Sequence, residues 1–321
     1  MLRRTLAYLL PLLILVTDSA TPSNSTGRAE GDSSSYEEQK TRPHGNLSLP
    51  AELHFGLTPY LPEDLLRREF EPLMAYLSLS LDIPVHLVIS PNYEGLGTQL
   101  EKGHVDIASF SPLAYVLEKR RNASLRLLLG QIVGGATSYT TYIIVHSEHG
   151  IYQLEHLKGK AFSFVDRNSA SGYLFPYAFF LKQGVVPEEF FSQVLFAGNH
   201  LKAIQYVIEG KVDAAATYSE ALVAARESGV RVGSLRIIKK TGRIPYDAVC
   251  ARGDLDLDLV HRVSSLLLHL DMSDDQGRRV LGNVLRINGW IEVSDEQYAT
   301  VRQVLDMIEH HGSSPPSSGI R

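Results

Sequence analysis

The segment Ser163–Pro176 has the sequence SFVDRNSASGYLFP and is the most informative stretch of this chain. Its apolar start predicts a buried strand, and the serines that follow predict a turn leading into a helix. Backbone N–H groups in the first turn of a helix have no internal partners and carry the positive end of the helix dipole, so an oxyanion completes them. Ser169 and Ser171 add hydroxyl donors beside these amides. An ordinary helix N-cap explains the same serines through stability alone, so both interpretations stay open from this turn.

Short apolar runs alternate with helical patterns in the rest of the chain. The pattern predicts strands at Leu53–Gly56, Val85–Ile89 and Val105–Phe110, and helices at Pro62–Leu81, Tyr93–Lys102 and Pro112–Lys119. This alternation is typical of βαβ units around a largely parallel sheet. Ligands of such sheets bind at the carboxyl ends of strands, and the turn at Ser169–Ser171 follows one of those strands.

A weak internal repeat indicates two similar lobes. Residues 101–108 (EKGHVDIA) resemble residues 209–216 (EGKVDAAA), and in both a Val-Asp pair opens an apolar strand. The two copies are farther apart than the roughly 20–50 residues of a solenoid repeat. The strand Ser138–Val145 and the loop Thr241–Asp247 each predict a crossing between the lobes, which creates a hinge with a cleft beside it.

The predicted organisation has five parts. Residues 1–20 form a signal peptide or N-terminal anchor, residues 21–48 a disordered tether, residues 49–143 with 246–309 the first lobe, residues 144–245 the second lobe, and residues 310–321 a disordered tail. The apolar run Leu6–Val16 follows Arg3 and Arg4 and is too short for a bilayer core of about 30 Å. We therefore expect export to the periplasm, with an uncleaved membrane anchor as the alternative.

Composition excludes several classes of protein. The 321 residues carry a formal net charge of −5, whereas a nucleic-acid binder shows a basic face. The single cysteine, Cys250, forms no intrachain disulfide and lies in an apolar run, which predicts a buried hydrophobic role. The histidines lack metal-ligand spacing, so we predict no metal site and no cofactor.

The region from about Leu53 to Ile291 resembles the periplasmic substrate-binding proteins of ABC transporters for phosphate, phosphite and phosphonates. Its most specific part is Asp166–Pro176, which resembles the family motif Asp-Pro-x-Ser-Thr-Ser-Gly-Tyr-Leu-x-Pro. The resemblance implies the α/β, two-lobed type II periplasmic-binding-protein fold, with a mixed sheet flanked by helices in each lobe and a two-strand hinge. It also implies a monomer that binds a small oxyanion without catalysis and delivers it to an ABC permease.

The resemblance further implies a ligand site. The serine-rich turn contributes two hydroxyls and one backbone N–H, and four further segments (GLTPY, DIASFSPLAYV, AGNH and IPYD) match family segments in the same order along the chain, together with the strand and turn at residues 213–220. The ligand-binding residues implied in this way are Tyr60, Phe110, Ser169, Ala170, Ser171, His200, Glu220 and Asp247.

Three positions depart from the family pattern. Arg167 replaces the usual proline, Ala170 replaces a threonine, and Phe110 stands where many members have a tyrosine. The last two changes remove hydroxyl donors, each worth roughly 1.5–3 kcal/mol to a charged acceptor. The identity of the ligand therefore stays open among phosphate, phosphite, methylphosphonate and 2-aminoethylphosphonate.

Asp247 restricts the chemistry of the ligand. A carboxylate that faces an oxyanion is repulsive unless the ligand donates a proton. Phosphorus oxyanions carry a P–OH as monoanions, whereas sulfate is fully deprotonated near neutral pH. Glu220 would pair in the same way with the ammonium group of an aminoalkyl substituent.

Three other functions compete with this interpretation. The first is a binding protein that reports to a signalling partner, and the second is a protein that binds another small oxyanion, such as a sulfonate. The third is a hydrolase that uses Ser169 or Ser171 with His200 and Asp247. The hydrolase is the least favoured, because the nucleophile elbow Gly-x-Ser-x-Gly is missing.

Overall fold

A computed structural model describes residues 50–281 and 285–313, with side chains up to residue 310. The predicted signal segment (1–20) and tether (21–48) lie outside the described residues, as do residues 314–321 of the predicted tail. The last helix extends to Ser313, so residues 310–313 are helical where we predict disorder. A helix that has already formed gains one hydrogen bond for each residue it adds, which favours this extension. Within the described ranges, no helix has both the length and the apolar character needed to span a bilayer.

The elements alternate as the sequence pattern predicts. The strands are β1 (Leu53–Leu57), β2 (Val85–Ile89), β3 (Ile107–Phe110), β4 (Arg126–Val133), β5 (Ser138–His146), β6 (Ala161–Phe164), β7 (Gln193–Phe196), β8 (Ala214–Tyr218), β9 (Leu235–Pro245), β10 (Ala248–Ala251) and β11 (Ile287–Glu292). The helices are α1 (Glu63–Leu81), α2 (Gly95–Glu101), α3 (Pro112–Arg121), α4 (Phe175–Lys182), α5 (Pro187–Phe190), α6 (His200–Ile208), α7 (Ser219–Glu227), α8 (Leu257–Leu268), α9 (Asp275–Val280) and α10 (Ala299–Ser313). The predicted strand Val85–Ile89 has the observed limits, and the limits of the other predicted strands and helices lie within two residues of the observed ones.

Two mixed sheets form the cores of two lobes. The first has the strand order β11-β4-β10-β3-β1-β2, and the second has the order β7-β6-β8-β5-β9. In each sheet three neighbouring strands are parallel and the next strand is antiparallel to them. The prediction of two similar α/β lobes is therefore confirmed.

The Val-Asp repeat has the same structural role in both lobes. The carboxylate of Asp106 accepts a hydrogen bond from the backbone N–H of His54 at 2.7 Å, at the start of β1. The carboxylate of Asp213 accepts one from the N–H of Ala161 at 2.9 Å, at the start of β6. Each aspartate thus satisfies an N–H group at the start of an interior strand, that of the second residue of β1 and that of the first residue of β6.

The apolar face of α1 shows how the first core forms. Leu65, Leu66, Phe70, Leu73 and Leu77 follow helical spacing and are all buried. They pack in one hydrophobic cluster with the strands of the first sheet. The helix therefore covers one face of that sheet and leaves the carboxyl ends of its strands free for the cleft.

The chain passes between the sheets at two places. One is the segment 134–137 between β4 and β5, and the other is Tyr246–Asp247 between β9 and β10. Strand β5 pairs with β9 along its whole length and with β8 from Thr141 to Val145, so Ser138–Ile143 belong to the second sheet. The predicted first lobe extended to residue 143 and so included this segment. The predicted end of the second lobe, residue 245, is also the last residue of β9, directly before the second passage. The lobe limits themselves stay a prediction.

Candidate functional site

A cavity lies between the lobes, at the carboxyl ends of the parallel strands of both sheets. Tyr60, Tyr93 and Ser111 reach it from the loops after β1, β2 and β3. The Ser169–Ser171 turn and His200 reach it from the loops after β6 and β7. This is the position at which open α/β sheets bind ligands, and here two such sheets face each other.

The cavity is small, and half of the residues that line it carry a hydroxyl group. Its volume is about 40 Å³. A single water needs roughly 10–15 Å³ on this scale, so the cavity has room for a molecule of only a few heavy atoms. The lining residues are Tyr60, Tyr93, Ser111, Gln131, Val133, Tyr139, Ser169, Ala170, Ser171, His200, Tyr218, Glu220, Tyr246, Asp247, Leu285 and Ile287.

The serine-rich turn is held tightly against β6. A π-helical turn, Ala170–Leu174, precedes α4, and Ser169 is its N-cap, with Oγ accepting a hydrogen bond from the N–H of Gly172 at 3.0 Å. The carbonyl of Gly172 in turn accepts a hydrogen bond from the N–H of Val165 at 3.0 Å. Ser169 therefore has the capping role that the sequence left open, and it lines the cavity as well.

Ser171 and His200 belong to one buried network. Ser171 Oγ lies 3.3 Å from His200 Nε2, and His200 Nδ1 lies 3.2 Å from Thr217 Oγ1. Only 1% of His200 is exposed, and this burial lowers the pKa of its imidazole to about 3. The ring is therefore neutral near pH 7. If Thr217 donates to Nδ1, the proton of the ring sits on Nε2 and faces Ser171 and the cavity.

One backbone hydrogen bond joins the lobes across the cavity. The N–H of His200, in the second lobe, donates to the carbonyl of Tyr60, in the first lobe, at 3.0 Å. The ring of Tyr139 contacts the rings of Tyr218 and Tyr246, each with a centroid distance of 4.9 Å. These ring contacts connect β5, β8 and the second crossing, so they lie on one side of the cavity, and it is the hydrogen bond from His200 to Tyr60 that links the lobes.

Burial shifts the ionisation of the cavity carboxyl and phenols. It raises the pKa of Asp247 to about 7, so this side chain exchanges a proton near neutral pH. It also raises the pKa of Tyr60, Tyr139 and Tyr218 well above the ordinary value, and the charge of Asp247 raises them further. The phenols thus remain protonated donors at any physiological pH.

The donors of this cavity are neutral. Neither arginine nor lysine is among the described residues that line it. An anion would be held by hydroxyls, backbone N–H groups and the imidazole, as at a helix N-terminus. Such a site favours an anion that brings a proton to the carboxylate of Asp247.

Seven of the eight predicted site residues line the cavity, and Phe110 does not. Phe110 lines a separate pocket with Gly97 and Ala114. Successive residues at the end of a strand point to opposite faces, and it is Ser111 that faces the cavity. The expectation that Phe110 contributes an aromatic ring to the ligand cavity is therefore not met by its position.

Sequence reasoning missed several residues that line the cavity. Tyr93 and Ser111 each follow the carboxyl end of a predicted strand, as Ser169 does, so the same argument pointed to them. Tyr246 directly precedes Asp247 in the predicted crossing. Tyr218 ends β8 within the segment 213–220, whose family counterpart brings a tyrosine or a glutamate to the cleft, and our prediction names Glu220 alone; Tyr139 lies inside β5, and no local signal marks it.

The geometry does not form the catalytic triad of a hydrolase. The partner of His200 Nδ1 is the hydroxyl of Thr217, where a triad has a carboxylate. A histidine whose pKa is about 3 is also a weak base for activating Ser171.

A comparison with known protein families agrees with this geometry. Residues 55–298 match the family model described as "ABC transporter, phosphonate, periplasmic substrate-binding protein". The chain belongs to this family. Members of the phosphonate-binding family are periplasmic binding proteins of ABC transporters, a class of non-enzymes.

Individual relatives are distant but similar over most of their length. The phosphate-import protein PhnD of Mycolicibacterium smegmatis is 25% identical over 299 residues, which cover 87% of this chain and 92% of the relative. The phosphonates-binding periplasmic protein of Escherichia coli is 24% identical over 270 residues, which cover 81% and 78%. The structure of PhnD1 from Prochlorococcus marinus in complex with methylphosphonate superposes with a TM-score of 0.74 at 21% identity, covering 81% of this chain and 99% of PhnD1. This likeness shows the type II periplasmic-binding-protein fold.

Proposed function

We propose that this phosphonate-binding family member captures a small phosphorus oxyanion outside the cytoplasm and delivers it to an ABC permease. The observation that supports this most is the meeting of Asp247, with a pKa of about 7, and the Ser169–Ser171 turn in one cavity whose described lining residues include no lysine or arginine. A protonated oxyanion satisfies both, because its P–OH or the acid of Asp247 supplies the shared proton. The protein acts as a monomer, and its lobes close over the ligand.

The size of the cavity favours the smallest ligands of the family. Phosphite, phosphate and methylphosphonate consist of four or five heavy atoms, which suits a volume of about 40 Å³. The complex of PhnD1 with methylphosphonate is an example of such a ligand on this fold. 2-Aminoethylphosphonate is longer and would need Glu220 to pair with its ammonium group in the same space.

A sulfonate or sulfate is the second candidate, because the fold and the donors suit any small oxyanion. It is disfavoured by Asp247, since a sulfur oxyanion brings no proton of its own near neutral pH and can use only the acid form of Asp247, whereas a phosphorus monoanion also donates through its P–OH. A hydrolase is disfavoured by the neutral His200 and its hydroxyl partner, Thr217. We therefore assign no catalytic residue.

A thermal-shift panel tests the assignment. We expect phosphite, phosphate or methylphosphonate to raise the melting temperature, and sulfate and taurine to leave it unchanged near pH 7.5. Ser171→Ala should weaken binding of the best ligand by at least roughly tenfold, since it removes a hydrogen bond to a charged acceptor.

Ser163→Ala is the matched control. Ser163 is a buried serine of β6 whose Oγ donates to the carbonyl of Phe164 at 2.9 Å, and it does not line the cavity. The affinity of the Ser163→Ala variant for the best ligand should equal that of the unmodified protein. Stabilisation by sulfate or taurine alone would refute the assignment to phosphorus oxyanions, as would unchanged affinity in Ser171→Ala.

A further inference from the structure

Ser111 has a buried hydroxyl that lines the ligand cavity without a hydrogen-bond partner. Only 6% of the residue is exposed, and its Oγ finds no donor or acceptor among the described residues. Buried hydroxyls in proteins nearly always have a partner. This one lies on the wall of the cavity, where a bound ligand would supply the missing partner.

Helix capping does not explain Ser111. It precedes α3 at the N-cap position, with Pro112 in the first turn, yet its side chain accepts no hydrogen bond from the helix. The backbone of Ser111 is fixed from another direction, because its N–H donates to Thr58 Oγ1 at 3.1 Å. Thr58 Oγ1 donates to the carbonyl of Ser109 at 3.3 Å. The hydroxyl of Ser111 is thus held in place while remaining free to donate.

The N-terminus of α3 supports the same role. This helix has ten residues, and the first N–H groups of a helix lack internal partners and favour an anion. The serine-rich turn in the second lobe presents the same chemistry to the same cavity. An anion in the cavity is therefore contacted by one helix N-terminus from each lobe.

We propose that Ser111 Oγ is a ligand-binding donor contributed by the first lobe, an inference that rests on the proposed binding of a phosphorus oxyanion. It supplies a hydroxyl where the second lobe has only the methyl group of Ala170. Because the donor lies in the opposite lobe from Ser171, its hydrogen bond forms only when the lobes close, and it favours the closed state with ligand.

Calorimetric titration of the exported protein with phosphite and with methylphosphonate tests this role. Ser111→Ala should weaken binding of the better ligand by roughly tenfold, the effect of losing one hydrogen bond to a charged group. The melting temperature without ligand should stay the same or rise, because the variant removes an unpaired buried hydroxyl and no cap.

Ser90→Ala is the matched control. Ser90 also has a buried Oγ without a partner among the described residues, and it also follows a strand of the first lobe, but it does not line the cavity. The affinity of the Ser90→Ala variant for both ligands should remain within about twofold of the affinity of the unmodified protein, because Ser90 does not contact the ligand.

The outcomes separate this inference from the proposed function. If the unmodified protein binds one of the two ligands and Ser111→Ala binds it equally well, the donor role is wrong and the proposed function stands. A lower melting temperature of ligand-free Ser111→Ala, with unchanged affinity, would show a capping role and overturn the inference. If the unmodified protein binds neither ligand, nor any other phosphorus oxyanion, both the function and the inference fail.

Discussion

Replacing Asp247 with asparagine should remove most of the pH dependence of ligand binding above pH 7. Burial raises the pKa of Asp247 to about 7 in the closed protein. Phosphorus oxyanions lose their second proton in a similar range, as phosphate esters do near pH 6. With phosphite or methylphosphonate, both partners are therefore deprotonated above pH 7.5 when free, whereas the complex needs one proton between the carboxyl oxygen and the ligand oxygen; phosphate differs, because its dianion keeps one P–OH.

The size of the effect follows from this single proton. Uptake of one proton on binding lowers the association constant about tenfold per pH unit, or 1.36 kcal/mol. Between pH 7.5 and 9.0 the affinity of the unmodified protein should thus fall about 30-fold. In Asp247→Asn the amide donates to the ligand without titrating, so the affinity should change by less than about threefold over this interval.

The raised pKa of Asp247 also determines whether the stability of the protein without ligand rises or falls with pH. Native Asp247 keeps its proton to higher pH than the unfolded chain does, so linkage lowers the stability of the closed form as pH rises from about 4 to about 7. The rise in pKa from its ordinary value near 3.9 corresponds to at most about 4 kcal/mol. Opening of the cleft relieves this cost by hydrating the carboxylate, so an ionised Asp247 favours the open form until a ligand supplies a proton.

Titration calorimetry with methylphosphonate at pH 7.5, 8.25 and 9.0 measures the slope, and buffers with different ionisation enthalpies count the protons. Asp258→Asn is the control, because Asp258 is an exposed carboxylate outside the cavity. It should keep the slope of the unmodified protein. A flat profile for the unmodified protein, or an equal slope in Asp247→Asn, would refute the shared proton.

Two further substitutions test the support of the site. Thr217→Val keeps the shape of the side chain but removes the hydrogen-bond partner of His200 Nδ1. The affinity for the ligand should fall roughly tenfold, and the ¹⁵N chemical shifts of the His200 ring should change. Unchanged shifts and affinity would contradict a role of Thr217 in orienting the ring. Gly172→Ala would place a methyl group 2.3 Å from Val165 Cβ, so the free energy of unfolding in urea should fall by about 1–3 kcal/mol. Gly233→Ala, where a Cβ meets nothing within 4 Å, should be nearly neutral, and an equal loss there would rule out the crowding explanation.

The general architecture could be predicted because its signals are local. The apolar positions of α1 repeat with the helical period, and the same five leucine and phenylalanine positions are buried in the structure. The Val-Asp pairs mark two equivalent strands, because Asp106 and Asp213 each accept a hydrogen bond from a backbone N–H at the start of a neighbouring strand. Patterns of this kind lie within single segments of the chain, so they can be recognised without knowledge of the tertiary structure.

Side-chain directions at the ends of strands were less predictable. Phe110 and Ser111 are adjacent, and a shift of one residue along the strand moves a side chain from the cavity to the opposite face of the sheet. The family resemblance pointed to the aromatic residue, whereas the backbone of this chain presents the serine. Tyr139 escaped prediction for a related reason, because it reaches the cavity only through the pairing of β5 with β8 and β9.

The sequence alone predicted the two-lobed α/β fold and the position of the serine-rich turn at the end of a strand. The resemblance of the motif at Asp166–Pro176 indicated the family. These depend on periodicity, turn chemistry and one long motif, all of which lie within short segments. The tertiary structure decided which hydroxyls meet in the cavity, that His200 is neutral, and that Asp247 titrates near neutral pH. Those properties arise from burial between two lobes whose contributing residues are far apart in the chain, so no single segment encodes them.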